Sequence, residues 1–431
     1  MLLAADPPPV DVQRELAAMR ADLAAIRARQ RDAWMDAARA EQVRGIVRDA
    51  LADSATRASF LAAEWTTGYD GGAFVRSADG ATSMKVNVMN QVRFVFNSAG
   101  GEAVPGYDTE TRWGMENRRV NLTFSGNVVD PTVRYMCLVV YQSQADRFVA
   151  EPGVVRPMYS WVAKDFGHGW SGTVGLQNVP WDLESMFFGS SRLTTGEYSV
   201  FNYRFGAGKQ PGATIHWQGD WLRTTAGVFN QLNAIATGWD AAENLSFAVS
   251  SRTELKIGAD WNQLEWMSGA PGDVPGFVAG LGLCMSNGRA QNPQSPVPLG
   301  EPTPSAQGVT VDLRAVLGGA TIVGQYAYMR DPVGGRTLGW FSGLNVQGSA
   351  FLTDSVEAFA AAAWMDDVPV QWIAEAGANV YLRGRALKLT VKAIVPFGDG
   401  PVGGIREIAG GLGIAEENNN ASLVAQLQMS F

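Results

Sequence analysis

From Met84 onward, apolar and polar residues alternate in segments of about ten, the period-two pattern of strands with one apolar and one polar face. The last segment is the clearest: Ala421, Leu423, Ala425, Leu427, Met429 and Phe431 share one face, and Ser422, Gln426, Gln428 and Ser430 the other. Val120, Leu122 and Phe124 likewise oppose Arg119, Asn121 and Thr123. Leu387, Leu389, Val391, Ala393 and Val395 oppose Lys388, Thr390 and Lys392, and Leu245, Phe247, Val249, Leu255 and Ile257 oppose Arg252, Glu254 and Lys256. Short connections (Val129-Asp130-Pro131, Phe166-Gly167-His168-Gly169, Leu317-Gly318-Gly319, Leu352-Thr353-Asp354, Arg383-Gly384) alternate with long ones near 98–116, 143–157, 178–212, 287–307 and 397–420. About sixteen segments with short turns on one side and long loops on the other predict an all-β body, a sixteen-stranded antiparallel transmembrane β-barrel. The even count returns both ends to one side, and a ring of that size encloses water. The connection near 259–275 is long for the short-turn side and leaves the strand boundaries there open.

A soluble β-sandwich also alternates, but it turns its apolar face inward and avoids so many small residues in packed strands. The loop asymmetry favours the barrel. Trp161, Trp217, Trp221, Trp340, Trp364 and Trp372 fall at strand ends, as interfacial girdles require. No apolar run approaches the roughly 18 to 20 residues of a membrane helix. Only a closed barrel then satisfies every backbone group in lipid.

The period changes ahead of the barrel. Val12, Leu16, Met19, Leu23 and Ile26 recur at alternating spacings of four and three, a heptad seam that predicts a short N-terminal α-helical coiled coil. A second helical pattern runs through Val43, Ile46, Val47, Ala50 and Leu51. Helices this short do not persist alone, so self-association would bury the seam. The seam alone would equally permit a dimer. The expected organisation is a flexible N-terminus over 1–9, a coiled-coil stalk over 10–65 and the barrel over 66–431. Met1-Leu2-Leu3-Ala4-Ala5 is too short for a signal-peptide core and matches the remnant of one ahead of Asp6-Pro7-Pro8-Pro9.

Composition narrows the function classes. Gly (49), Trp (14) and Phe (19) are plentiful and charged residues only 18% of the chain, which suits strands, turns and aromatic belts. A net charge of -8 without a basic cluster excludes a nucleic-acid partner. Cys137 and Cys284 stand far apart and form neither a disulfide framework nor a metal motif. The two histidines, His168 in a short turn and His216 at a strand start, have no nucleophile elbow, phosphate loop or ligand cluster beside them, so catalysis, metal and cofactor are not expected.

Several motifs resemble the phosphate-selective porin O and P family. They are Gly68-Tyr69-Asp70-Gly71-Gly72-Ala73-Phe74 with Met84-Lys85-Val86-Asn87, and the hairpin Glu116-Asn117-Arg118-Arg119-Val120-Asn121-Leu122-Thr123-Phe124-Ser125-Gly126-Asn127-Val128-Val129-Asp130-Pro131. Gly175-Leu176-Gln177-Asn178-Val179-Pro180, running into Ser190-Ser191-Arg192, is similar to a further segment of that family, and the resemblance covers roughly 68–431. Phe431 matches the C-terminal assembly signal that such barrels present to the barrel-insertion machinery. The resemblance implies a homotrimeric channel in outer-membrane lipid, with the stalk in the periplasm and a loop folded inward as the constriction. The connection 178–212 is the candidate loop, with Asp182, Glu184, Arg192, Glu197, Arg204 and Lys209 setting the field at the narrowest point. An outward-folded extracellular loop is the alternative.

Phosphate selectivity fits less well. Residues 1–65 hold 9 basic and 10 acidic residues, so of the totals 34 and 42 the barrel keeps 25 and 32. A net acidic body with six lysines favours a general diffusion porin, weakly cation-preferring, over an anion filter. Lys85, Arg93, Arg119, Arg134, Arg252, Lys256, Arg314, Lys388 and Lys392 nevertheless fall on the lumen face, which keeps local anion affinity open. A third reading is structural: a barrel tethering the outer membrane to peptidoglycan or cell wall through its stalk.

Overall fold

The computed structural model describes residues 17–25, 41, 45, 65–98, 111–143, 153, 155–187, 189–230, 232, 247–287, 306–330, 340–366, 371–398 and 421–431. The chain divides into two units, Met1–Thr66 and Thr67–Phe431. In the first, 17–25 is helical, and Met19 and Leu23, one turn apart, are both exposed. Val12, Leu16 and Ile26 of the predicted seam lie outside the described residues.

From Trp65 onward the described chain is built mainly from strands. Two short ones, β1 (Trp65–Tyr69) and β2 (Ala73–Ser77), come first. The wall follows as β3 (Ser83–Asn97), β4 (Arg112–Val128), β5 (Asp130–Tyr141), β6 (Val155–Gly167), β7 (Trp170–Asn178), β8 (Lys209–Gln218), β9 (Leu222–Phe229) and β10 (Phe247–Gly258). It continues as β11 (Gly276–Asn287), β12 (Gln307–Val316), β13 (Ala320–Arg330), β14 (Trp340–Thr353), β15 (Val356–Met365), β16 (Gln371–Arg385), β17 (Leu387–Gly398) and β18 (Ser422–Ser430). Each wall strand pairs antiparallel with the next, and β18 returns to β3 from Ser422↔Asn97 to Ser430↔Met89. The sixteen strands from β3 to β18 therefore close a ring, which leaves no edge to satisfy in lipid. Phe431 extends the seam: its N–H donates to Val88 O (2.9 Å) and its carbonyl accepts from Val88 N–H (2.7 Å).

The alternation is expressed as predicted, inverted relative to a soluble protein. On β12, Val311 and Leu313 are exposed while Thr310, Asp312 and Arg314 are buried in the interior. On β18, Leu423, Leu427 and Met429 face out, and Ser422, Gln426 and Gln428 face in. A charge on the outer face would cost roughly 2–4 kcal/mol at mid-membrane, which keeps such residues inside. Outward tryptophans pair at both ends of the wall. Trp170 and Trp217 lie 6.4 Å apart at the short-turn end, while Trp364 and Trp372 (6.3 Å) and the stacked Tyr328–Trp340 pair (4.7 Å) mark the other. Trp161 departs from the expected girdle. It packs beside Leu138, Val140 and Tyr159 on the inner face, opposite Gly175, whose φ of +129° brings backbone close.

The short turns are as tight as predicted. Val129, at φ 70°, alone joins β4 to β5, and Gly318 and Gly319, at φ 68° and 114°, turn β12 into β13. Two connections instead enter the interior: 179–208 from the long-loop end and 259–275 from the short-turn end.

Candidate functional site

Residues 179–208 fold as two short helices held by their own caps. Asp182 accepts from Ser185 N–H (3.0 Å) to start Leu183–Met186, and Ser199 accepts from Asn202 N–H (3.1 Å) to start Val200–Phe205. Asn202 Nδ2 also donates to Asp182 (2.6 Å), tying the two helices together. Trp181 is fully buried, and its Nε1 donates to Phe205 O (2.9 Å). Its seat is a pair of wall glycines: a Cβ on Gly282 would stand 2.1 Å from Trp181 O, and one on Gly308 2.8 Å from the indole. Phe205 stacks near Phe201 (4.9 Å) and Phe341 (5.3 Å), over Gly343.

Polar atoms of the segment then reach lumen-facing residues on three sides. Glu184 accepts from Ser199 N–H (2.8 Å), Gln325 Nε2 (3.0 Å) and Asn345 Nδ2 (3.3 Å). Burial pushes this carboxyl up to about 7. Arg252 donates to Trp181 O (3.2 Å). On another side Leu193 O accepts from Lys388 Nζ (3.2 Å), Thr194 O from Asn379 Nδ2 (2.8 Å) and Gly196 O from Gln426 Nε2 (3.1 Å).

The third side is the most charged. Arg118 Nε and Arg119 Nη2 each reach Glu197 at 2.9 Å, Arg93 stands 4.0 Å from it, and Arg93 also pairs with Glu116. Burial alone would raise Glu197, but Arg118, Arg119 and Arg93 overcome it and hold the carboxyl well below the usual range. Arg118 also reaches Tyr203 OH (3.2 Å). Among the described residues, three guanidiniums here meet two carboxylates, Glu197 and Glu116. Strict alternation places Arg118 outside; the register instead runs Gln91↔Arg119 then Val92↔Asn117, so Arg118 is the extra residue of a β-bulge and turns inward.

The second interior segment, 259–275, supports the first. Met267 N–H donates to Arg192 O (3.1 Å), Arg192 pairs with Glu265 (2.8 Å), and Thr194 and Ser268 hydroxyls meet at 2.7 Å. Arg314 donates to Leu264 O (2.7 Å) and Trp266 O (2.9 Å), and Trp261, Leu264, Ala259, Val278 and Val316 form a small core beneath. This explains the long connection seen in the sequence: its aromatic and apolar residues are anchors, not a turn.

The remaining candidates are dispersed. Lys209 and Gly212 belong to β8, paired with Asn178 and Gly175, so the interior segment is narrower than 178–212, because the β7–β8 ladder continues past the glycine. Lys209 lies over Tyr159 (5.4 Å) and Tyr198 (5.6 Å), and Arg204 over Phe341 (4.1 Å). Arg252 is locked to Asp312 (2.8 Å) and Lys392 to Glu375 (2.7 Å). Lys256 sits over Trp261 (5.5 Å), Lys85 lies 3.9 Å from Asp70, and Arg134 is exposed on β5. His216 Nδ1 lies 2.8 Å from Thr225 Oγ1, and among the described residues no His/Cys/Asp/Glu cluster could hold a metal.

No protein-family model and no curated protein matches the chain. Solved structures do. The anion-selective porin from Comamonas acidovorans aligns at TM-score 0.51 and 13% identity, over 81% of this chain and 100% of that one. Salmonella typhi OmpF, in a complex with daunomycin, aligns at 0.53 and 12%, over 85% and 100%. Pseudomonas putida OprB, in a high-pH structure, aligns at 0.53 and 11%, over 81% and 94%. Closed, sixteen-stranded and lined with polar side chains, the chain has the fold of the outer-membrane porins.

Proposed function

We propose that the protein is an outer-membrane porin, a homotrimeric, water-filled channel for passive diffusion of small hydrophilic solutes and ions. The observation that carries this reading is a closed ring whose apolar face points out while its polar interior holds an inward-folded segment, 179–208. That segment acts as the constriction, and the arginines around Glu197 set the field beside it. The helical stalk lies in the periplasm, fixes the trimer and reaches peptidoglycan, and Phe431 serves as the signal to the insertion machinery. Planar-bilayer conductance of the detergent-purified protein in a potassium chloride gradient tests the reading. Large steps in triplets with a reversal potential near zero, and little block by millimolar phosphate, support a general porin. Absence of conductance overturns the channel and favours the tether.

Anion preference is the second reading, favoured by the inward turn of Arg118, which adds a third guanidinium to the cluster. Small, anion-selective steps blocked by phosphate would support it.

A further inference from the structure

Below the constriction, at the short-turn end, the interior holds a cavity of about 770 Å³. Four arginines line it, Arg192, Arg223, Arg314 and Arg385, against two carboxylates, Glu254 and Glu265. Two pairs neutralise each other: Arg192 with Glu265 at 2.8 Å and Arg223 with Glu254 at 2.5 Å. Arg314 and Arg385 remain as surplus, with no carboxylate within ion-pair distance among the described residues.

Their placement is specific. Arg314 is buried at 2% exposure; it donates to Leu264 O and Trp266 O, while its Nε has no hydrogen-bond partner among the described residues. Arg385 donates to Ser268 O (3.3 Å) and lies over the Trp266 ring at 4.3 Å. The two guanidiniums thus flank Trp266. Arg314's hydrogen bonds go to neutral carbonyls, with Glu254 and Asp312 acting on it only from beyond ion-pair distance, and an anion beside it would offset part of its burial cost. The wall is mixed: Met136, Leu138, Met186, Phe187 and Leu264 form an apolar part, and Asn87, Asn121, Thr123 and Ser125 a polar one. A fully hydrated anion gains nothing from the apolar part, whereas a planar carboxylate matches a guanidinium fork and an attached ring covers that part.

We infer that this cavity is a binding site for small monocarboxylates carrying an aromatic or compact apolar body. The inference deepens the channel reading by naming the solute class that the vestibule holds. Binding does not itself require conduction, so the two stand or fall separately.

The test uses the full chain in detergent micelles and the ¹⁹F resonance of 4-fluorobenzoate. Saturable broadening is expected, weakened about tenfold in affinity by Arg385→Gln, the scale of one charge-assisted bond lost. Trp266→Leu provides a second variant, expected to weaken aromatic acids more than acetate, and Arg330→Gln, at the far end of β13, leaves binding unchanged. Heat-modifiable migration on gels confirms that each variant is folded. Equal broadening of 4-fluorobenzyl alcohol, displacement by phosphate as effective as by benzoate, or unchanged binding by folded Arg385→Gln would overturn the inference. Conductance without benzoate binding sinks the site alone; benzoate binding without conductance sinks the channel and leaves the site.

Discussion

Replacing Glu197 with Gln keeps the shape of the side chain and removes a charge on which Arg118 and Arg119 converge at 2.9 Å. Arg93 keeps Glu116, so the substitution removes one unit of negative charge from the cluster. An ion passing about 8 Å away feels that unit change as about 2 kcal/mol at an effective dielectric of about 20, reduced by salt to about 0.8 kcal/mol. Cation and anion feel opposite signs, so their permeability ratio should move by about 1.5 kcal/mol, roughly tenfold toward anions. Removing one member of a buried ion-paired group also costs on the order of 3–5 kcal/mol, less whatever the amide retains in hydrogen bonds. Docking of 179–208 must therefore be checked beside selectivity. The assay is the reversal potential in a potassium chloride gradient, with limited proteolysis of the segment as the docking control. An unchanged reversal potential in a Glu197→Gln protein that still resists proteolysis would show that the cluster does not face the ion path.

Trp181→Ala should loosen the segment by about 3–5 kcal/mol, the range for deleting a fully buried aromatic, and raise conductance with added flicker. Gly282→Leu should do the same from the wall side, since its Cβ would stand 2.1 Å from Trp181 O; rising protease sensitivity at 179–208 checks both. Glu184 supplies a pH dependence. Its docked carboxyl is raised by burial from 4.5 to about 7, so the docked state binds the extra proton, and docking strengthens as pH falls through that window and weakens above it. Protease resistance should be greater at pH 5 than at pH 8, and Glu184→Gln should flatten the difference. Arg192→Gln, breaking a part-exposed pair with Glu265, should cost no more than about 1 kcal/mol and leave the melting temperature nearly unchanged.

Period-two alternation made the wall legible, because lipid and lumen impose opposite chemistry on successive residues; β12 and β17 follow it without exception from Val311 to Arg314 and Lys388 to Lys392, and β18 departs from it between Ser422 and Met429 only at Val424, which is buried inside. Arg118 was not legible, since a one-residue bulge resets the parity without leaving a glycine or proline to mark it. Lys209 falls within the expected loop 178–212, yet it sits with Pro211 and Gly212 in the β7–β8 ladder. The role of 259–275 had a visible sign in Trp261, Leu264, Trp266 and Met267, residues too apolar for a solvent-exposed turn. Which wall residue each anchor meets depends on contacts as far as 230 positions away, as between Gly196 and Gln426, and no local pattern encodes that.

Closure by β18 on β3 joins residues separated by more than three hundred positions, as Gln428 and Gln91 are. Contacts of such separation form late, after the chain has met the entropy of a very large loop. Residues 179–208 and 259–275 have their partners distributed round the ring, from Gln91 to Gln426. Their anchors are complete only when the last strand has arrived, because Gln426 and Gln428 lie on it. Closure of the wall and completion of the interior anchorage are thereby tied to one event, the arrival of the strand beside the final residue.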